Sequence, residues 1–90
     1  MSKWRRAARI DENQPKIVKE LLAKGISVQP GMDDILVGYK GRTYWIEIKT
    51  GPKAALKPSQ VRLMDEWKGH YMIAWSTEMI LTAIGYEADF

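Results

Sequence analysis

Asp34 and Glu47 are the residues whose types and spacing could do chemistry. They sit in two β-rich runs, Ile35-Leu36-Val37-Gly38-Tyr39 and Thr43-Tyr44-Trp45-Ile46-Glu47-Ile48, separated by Lys40-Gly41-Arg42, the pattern of an antiparallel hairpin. With the turn at Lys40-Gly41, Tyr39 faces Arg42, Val37 faces Tyr44, Leu36 faces Trp45, Ile35 faces Ile46, and Asp34 faces Glu47. Strand alternation then puts Lys49 on the Glu47 face and Tyr44, Ile46 and Ile48 on the other. Asp33, opposite Ile48, is expected to face away.

Two like charges directly opposite each other destabilise a sheet, so something must neutralise them. A divalent cation does this directly. Mg²⁺ takes oxygen ligands and keeps several waters, so two carboxylates plus a backbone carbonyl, that of Ile48 by position, make a plausible open site. Lys49 beside it could orient the attacking water or steady a phosphate, and the combination suits metal-assisted hydrolysis of a phosphodiester. The triplet Glu47-Ile48-Lys49 alone is also how the wet face of an ordinary antiparallel strand looks. Asp34 at the matching cross-strand position is what raises it above that.

The elements that must position these groups read as α-β-β-β-α-β-α. A helix is expected from about Asn13 to Ala23, with Asn13 as cap, Pro15 in the first turn, and Ile17, Val18, Leu21 and Leu22 on one stripe. Gly25 stops it, and Ile26-Ser27-Val28 is a short strand ended by the turn signal Pro30-Gly31. After the hairpin, a loop from Gly51 through Lys57 leads to a helix from Pro58 to Lys68 with Val61, Leu63, Met64 and Trp67 as apolar positions. Tyr71 to Trp75 reads as a strand, and Ser76 or Thr77 caps a last helix ending near Gly85. No repeat or linker divides this, so the expectation is one α/β domain, residues 10–90, with helices flanking a small mixed sheet. Residues 1–9 carry Lys3, Arg5, Arg6 and Arg9 and read as a basic arm.

Ninety residues, 46% hydrophobic and 28% charged, have room for one small core. Domains of this size bury roughly 60–65% of their unfolded surface, which makes a partner subunit a fair expectation. The absence of cysteine excludes a disulfide framework, a thiolate zinc site and a cysteine nucleophile. No apolar run reaches membrane-spanning length, and the first eight residues lack a signal-peptide core, so an intracellular, cytoplasmic domain is expected. The net charge of +3 is a mild basic excess, weak support for a polyanionic partner.

Asp34 followed by Glu47-Ile48-Lys49 on the next strand resembles the PD-(D/E)xK nuclease signature, with its restriction-endonuclease-like core. More narrowly, Gly31-Met32-Asp33-Asp34-Ile35-Leu36-Val37-Gly38, Ile46-Glu47-Ile48-Lys49-Thr50 and Leu56-Lys57-Pro58-Ser59-Gln60 are similar to the virus-type replication-repair nuclease (VRR-NUC) domain in its compact, stand-alone, phage-like form. The first helix matches too, with an acidic residue, Gln14, the Ile17-Val18 and Leu21-Leu22 stripe, and Gly25. The likeness covers roughly residues 10–84. It implies Asp34 and Glu47 as metal ligands, Lys49 as catalytic lysine, Mg²⁺ or Mn²⁺ as cofactor, and Asp11, with Glu12 as the alternative, as a further ligand. Gln60 matches a glutamine that the family places near the site, expected to hydrogen-bond substrate. Asp33 stands where the family usually has proline and could compete as a ligand. Lys57 stands where threonine commonly caps the helix, a departure expected to cost about 1 kcal/mol.

The implied function is metal-dependent endonucleolytic cleavage of DNA, branched DNA such as four-way (Holliday) junctions in particular, in replication, recombination or repair, by a homodimer with no organic cofactor or membrane. Arg5, Arg6, Arg9, Lys53, Lys57 and Arg62 are candidate phosphate contacts, or simply solvated cations. Trp45 could line the substrate groove or pack on Leu36. Trp67, Trp75, Met64 and Met72 have core-like spacing, and His70 lacks a second histidine with which to build a cluster. The competing readings are a non-enzymatic DNA-binding module on the same fold and a phage protein that binds a host factor. The second of these leaves the opposed carboxylates unexplained.

Overall fold

Lys40 and Gly41 set the geometry of the chain's middle. Both have left-handed backbones, φ 52° and 78°, as a two-residue type I′ hairpin turn requires, and Gly41 adopts that conformation without steric cost. The computed structural model describes residues 13–87. In chain order its elements are α1 (Asn13–Ala23), β1 (Ser27–Pro30), β2 (Asp34–Tyr39), β3 (Arg42–Ile48), α2 (Pro58–Glu66), β4 (His70–Ala74) and α3 (Thr77–Ile84). The expected order holds. The basic arm with Arg5, Arg6 and Arg9, and the ligand candidates Asp11 and Glu12, lie outside the described residues.

The four strands form one mixed sheet in the order β1-β2-β3-β4. β1, β2 and β3 pair antiparallel, and the hairpin register is the expected one throughout, from Tyr39 opposite Arg42 to Asp34 opposite Glu47. β4 returns through α2 to lie parallel to β3, with Trp45 beside Tyr71 and Glu47 beside Ile73. This is a small α/β fold with helices around a mixed sheet. No helix among the described residues is long and apolar enough to cross a membrane.

One face of the sheet carries the core. Ile35, Val37, Ile46 and Ile48 are sealed there against Ile17 and Leu21 of α1 and Ile80 and Ile84 of α3, the alternation that a half-covered sheet requires. The opposite face carries Asp34, Leu36, Trp45, Glu47 and Tyr71, and among the described residues only α2 stands beside it. Its Leu36 is 45% exposed.

Several local expectations need correction. Asn13 is the first residue of α1 rather than the residue before it, and its amide Nδ2 donates to the carbonyls of Lys49 at 2.9 Å and Trp75 at 3.1 Å. Leu22 leaves the apolar stripe and is exposed. β1 runs one residue later than expected and includes Pro30, while α2 ends at Glu66 and β4 begins at His70. Ser76 is the cap of α3, accepting from the Met79 N–H at 3.2 Å. The largest correction concerns α2: Val61, Met64 and Trp67 are about half exposed, and the helix buries Gln60 instead. Helical spacing of apolar residues identifies a stripe but not what covers it. Among the described residues the sheet's second face is too sparsely covered to bury that stripe.

Candidate functional site

Glu47 is a carboxylate in a nearly closed position. It is 5% exposed, and its Oε2 is buried without a hydrogen-bond partner among the described residues. Burial pushes its pKa from 4.5 up to about 7, and the charges of Asp33 and Asp34 push the same way, while Lys49 and Lys57 oppose them. The expectation that Asp33 faces away is thus incomplete. Its charge reaches Glu47 more strongly than that of Asp34, while its backbone carbonyl accepts the Ile48 N–H at 3.0 Å.

Asp34 stands across from Glu47 as expected, but its side chain is tied sideways. Asp34 Oδ2 accepts the Trp45 indole N–H at 2.9 Å. On its other side lies Gly31, whose N–H donates to the Asp34 carbonyl at 2.7 Å; a β-carbon on Gly31 would collide with Asp34 Oδ1. Asp34 therefore has one carboxylate oxygen held and the other confined.

The first turn of α1 fastens this end of the sheet. Asn13 holds the carbonyls that end β3 and β4, and Gln14 Nε2 donates to the Gly31 carbonyl at 3.0 Å. Gln14 is 5% exposed and its Oε1 is a second buried acceptor without a partner among the described residues. Lys49, just past β3, is half-buried and donates its backbone N–H to the Ala74 carbonyl at 2.9 Å.

Gln60 is buried but differently employed from the expectation. Its Oε1 accepts the Lys57 N–H at 2.9 Å, the reach-back half of a capping box, while the Lys57 side chain makes no cap hydrogen bond, as expected where lysine replaces threonine. Lys53, Lys57 and Arg62 are exposed. Of the three, Lys57 acts electrostatically on Glu47. His70 lies against Tyr44, ring centroids 4.6 Å apart, at the far end of the strand.

Tyr71 was not singled out from the sequence. Its buried hydroxyl lies beside Glu47 without a well-formed hydrogen bond, and its pKa is pushed up to about 12, by burial first and then by the negative field of Glu47, Asp34 and Asp33. It remains a proton donor at neutral pH. A tyrosine on a predicted strand carries no sign of this; only the parallel pairing of β4 with β3 brings it there.

A cation fits the donor set, since two opposed carboxylates and an orphaned buried oxygen want positive charge. No three acidic or histidine side chains among the described residues converge as a metal cluster, so Asp34 and Glu47 stand as a pair. Beside them opens a groove of about 530 Å³ walled by Pro30, Leu36, Trp45 and Trp67. Comparison with family models, with curated proteins and with solved structures returns no match for this chain.

Proposed function

We propose that this chain is a metal-dependent endodeoxyribonuclease with a PD-(D/E)xK core of the VRR-NUC kind. Its substrate is DNA, preferably branched DNA such as four-way junctions, cut in replication, recombination or repair. The observation that carries this reading is the cross-strand pair of Asp34 and Glu47, with Glu47 Oε2 buried and unpartnered. Such a pair is costly unless positive charge joins it.

Asp34, Glu47 and the Ile48 carbonyl are the groups that would hold Mg²⁺ or Mn²⁺, with Asp11 or Glu12 as a further ligand. Held there, such an ion would supply Lewis acidity at the phosphate and lower the pKa of water. Trp45 and Gly31 fix the direction of the Asp34 carboxylate. Lys49 and Lys57 place positive charge beside the carboxylates, where Lys49 donates to a phosphate oxygen as negative charge grows on it. A domain this small reads backbone and shape more than sequence. A homodimer would present two equivalent sites to a symmetric junction.

The test is incubation of labelled branched and linear DNA with Mg²⁺, then with EDTA. Cleavage with Mg²⁺ that disappears in EDTA and in Glu47→Gln and Lys49→Ala supports the reading. Full cleavage by either variant overturns the mechanism. A non-enzymatic DNA-binding module is the second reading, favoured by the exposed cations Lys53, Lys57 and Arg62. Binding without products in both conditions would establish it.

A further inference from the structure

We infer that the groove beside Asp34 is a seat for a single unpaired nucleobase, held next to the phosphate on which the carboxylates act. The seat depends on the nuclease reading only for the identity of the polymer that carries the base.

The groove has the chemistry of a base site. Pro30, Leu36, Trp45 and Trp67 give it apolar walls, and Gln29 and Asp34 give it polar edges. A nucleobase needs that combination, a flat apolar surface against its face and hydrogen-bonding groups at its rim.

The walls are preformed. Trp67 is 48% exposed, yet its indole is fixed on two sides. Trp45 meets it edge-to-face at 5.0 Å, and the indole lies so close over Gly69 that a β-carbon there would come within 2.9 Å of Nε1. Tyr71 also meets Trp45 edge-to-face, at 5.1 Å. An aromatic wall that is rigid before binding loses little entropy when a ring stacks on it.

Charge and continuity select the occupant. Lys49 and Lys57 act on Glu47, so cationic charge lies beside the carboxylates, while the groove itself is apolar. A nucleotide satisfies both, with its base in the groove and its phosphate by the lysines; an apolar peptide satisfies only one. Asp34 belongs to both places, lining the groove and facing Glu47. Base and phosphate therefore belong to the same or adjacent nucleotides. Bases stacked in a duplex cannot reach such a seat, so the substrate class is DNA with an unpaired nucleotide at the cut, as at a branch point or flap.

The experiment measures binding in EDTA, where cleavage plays no part. Fluorescence anisotropy compares a short labelled oligothymidylate with an abasic strand of equal length. The oligothymidylate should bind about fivefold or more tightly, the scale of one stacked base. Trp67→Ala and Leu36→Ser, both at half-exposed positions, should each erase that preference while leaving abasic-strand binding and Mn²⁺ affinity unchanged and thermal unfolding cooperative, with a midpoint only modestly lowered. Equal binding of the two strands by the wild type overturns the seat, whatever the cleavage assay shows. A base preference without metal-dependent cleavage upholds the seat and counts against the nuclease. If sedimentation velocity shows self-association that Trp67→Ala abolishes, and no base preference exists, the groove is an interface between two copies and the seat is overturned.

Discussion

Trp45 on β3 donates its indole N–H to Asp34 on β2 at 2.9 Å, across a diagonal of the hairpin. Diagonal neighbours on one face of an antiparallel pair lie within reach of long aromatic side chains. One residue thus walls the groove and aims a candidate ligand.

Trp45→Phe keeps an aromatic ring and removes the donor. Urea unfolding should show a loss of about 1–2 kcal/mol, the worth of a partly buried hydrogen bond to a charged group. Calorimetry should show weaker Mn²⁺ binding as Asp34 loses its anchor. Unchanged values for both quantities would mean that the indole does not hold the carboxylate.

Gly31→Ala acts on Asp34 from the other side. The new β-carbon would collide with Asp34 Oδ1 and lie 3.2 Å from the Asp34 backbone carbonyl, so the carboxylate must turn and the backbone must give by a few tenths of an ångström. Stability should fall by about 1 kcal/mol. Mn²⁺ affinity should fall about tenfold or more, as when a residue that orients a ligand is altered. A large stability loss with intact affinity would contradict this account.

Glu47 makes metal-free stability depend on pH. Its pKa rises from 4.5 in the unfolded chain to about 7 in the folded one, so between these values the folded protein binds more protons. Stability should therefore fall as pH rises through that window. Thermal midpoints measured in EDTA across it should decline for the wild type and stay flatter for Glu47→Gln. Mn²⁺ should restore the wild type most at the alkaline end, where the carboxylate is charged.

Gln60→Leu separates a capping role from a substrate role. Loss of the reach-back to Lys57 should cost about 1 kcal/mol, read as a lower urea midpoint. Lower cleavage at unchanged stability would instead assign the carboxamide to substrate.

The hairpin was legible because its register is set locally, by a turn whose two residues have the required backbone, and the pairing of Asp34 with Glu47 follows from it. Two things were not legible. The site contribution of Tyr71 depends on the parallel docking of β4 through α2, a long-range register that no turn residue encodes. The outward stripe of α2 was illegible because Val61, Met64 and Trp67 have the spacing of core residues whether or not anything covers them. Gln60 fills the buried position, and a glutamine does not announce itself as core.

The Lys40-Gly41 turn has one last consequence, for loop engineering. Because side chains alternate with period two, slipping β3 by one residue past β2 would turn Glu47 into the core and Ile46 and Ile48 out to water. Changes at this loop are therefore subject to a parity rule. An inserted pair of residues can preserve which side each later residue faces, whereas a single insertion exchanges the sides unless a bulge absorbs it.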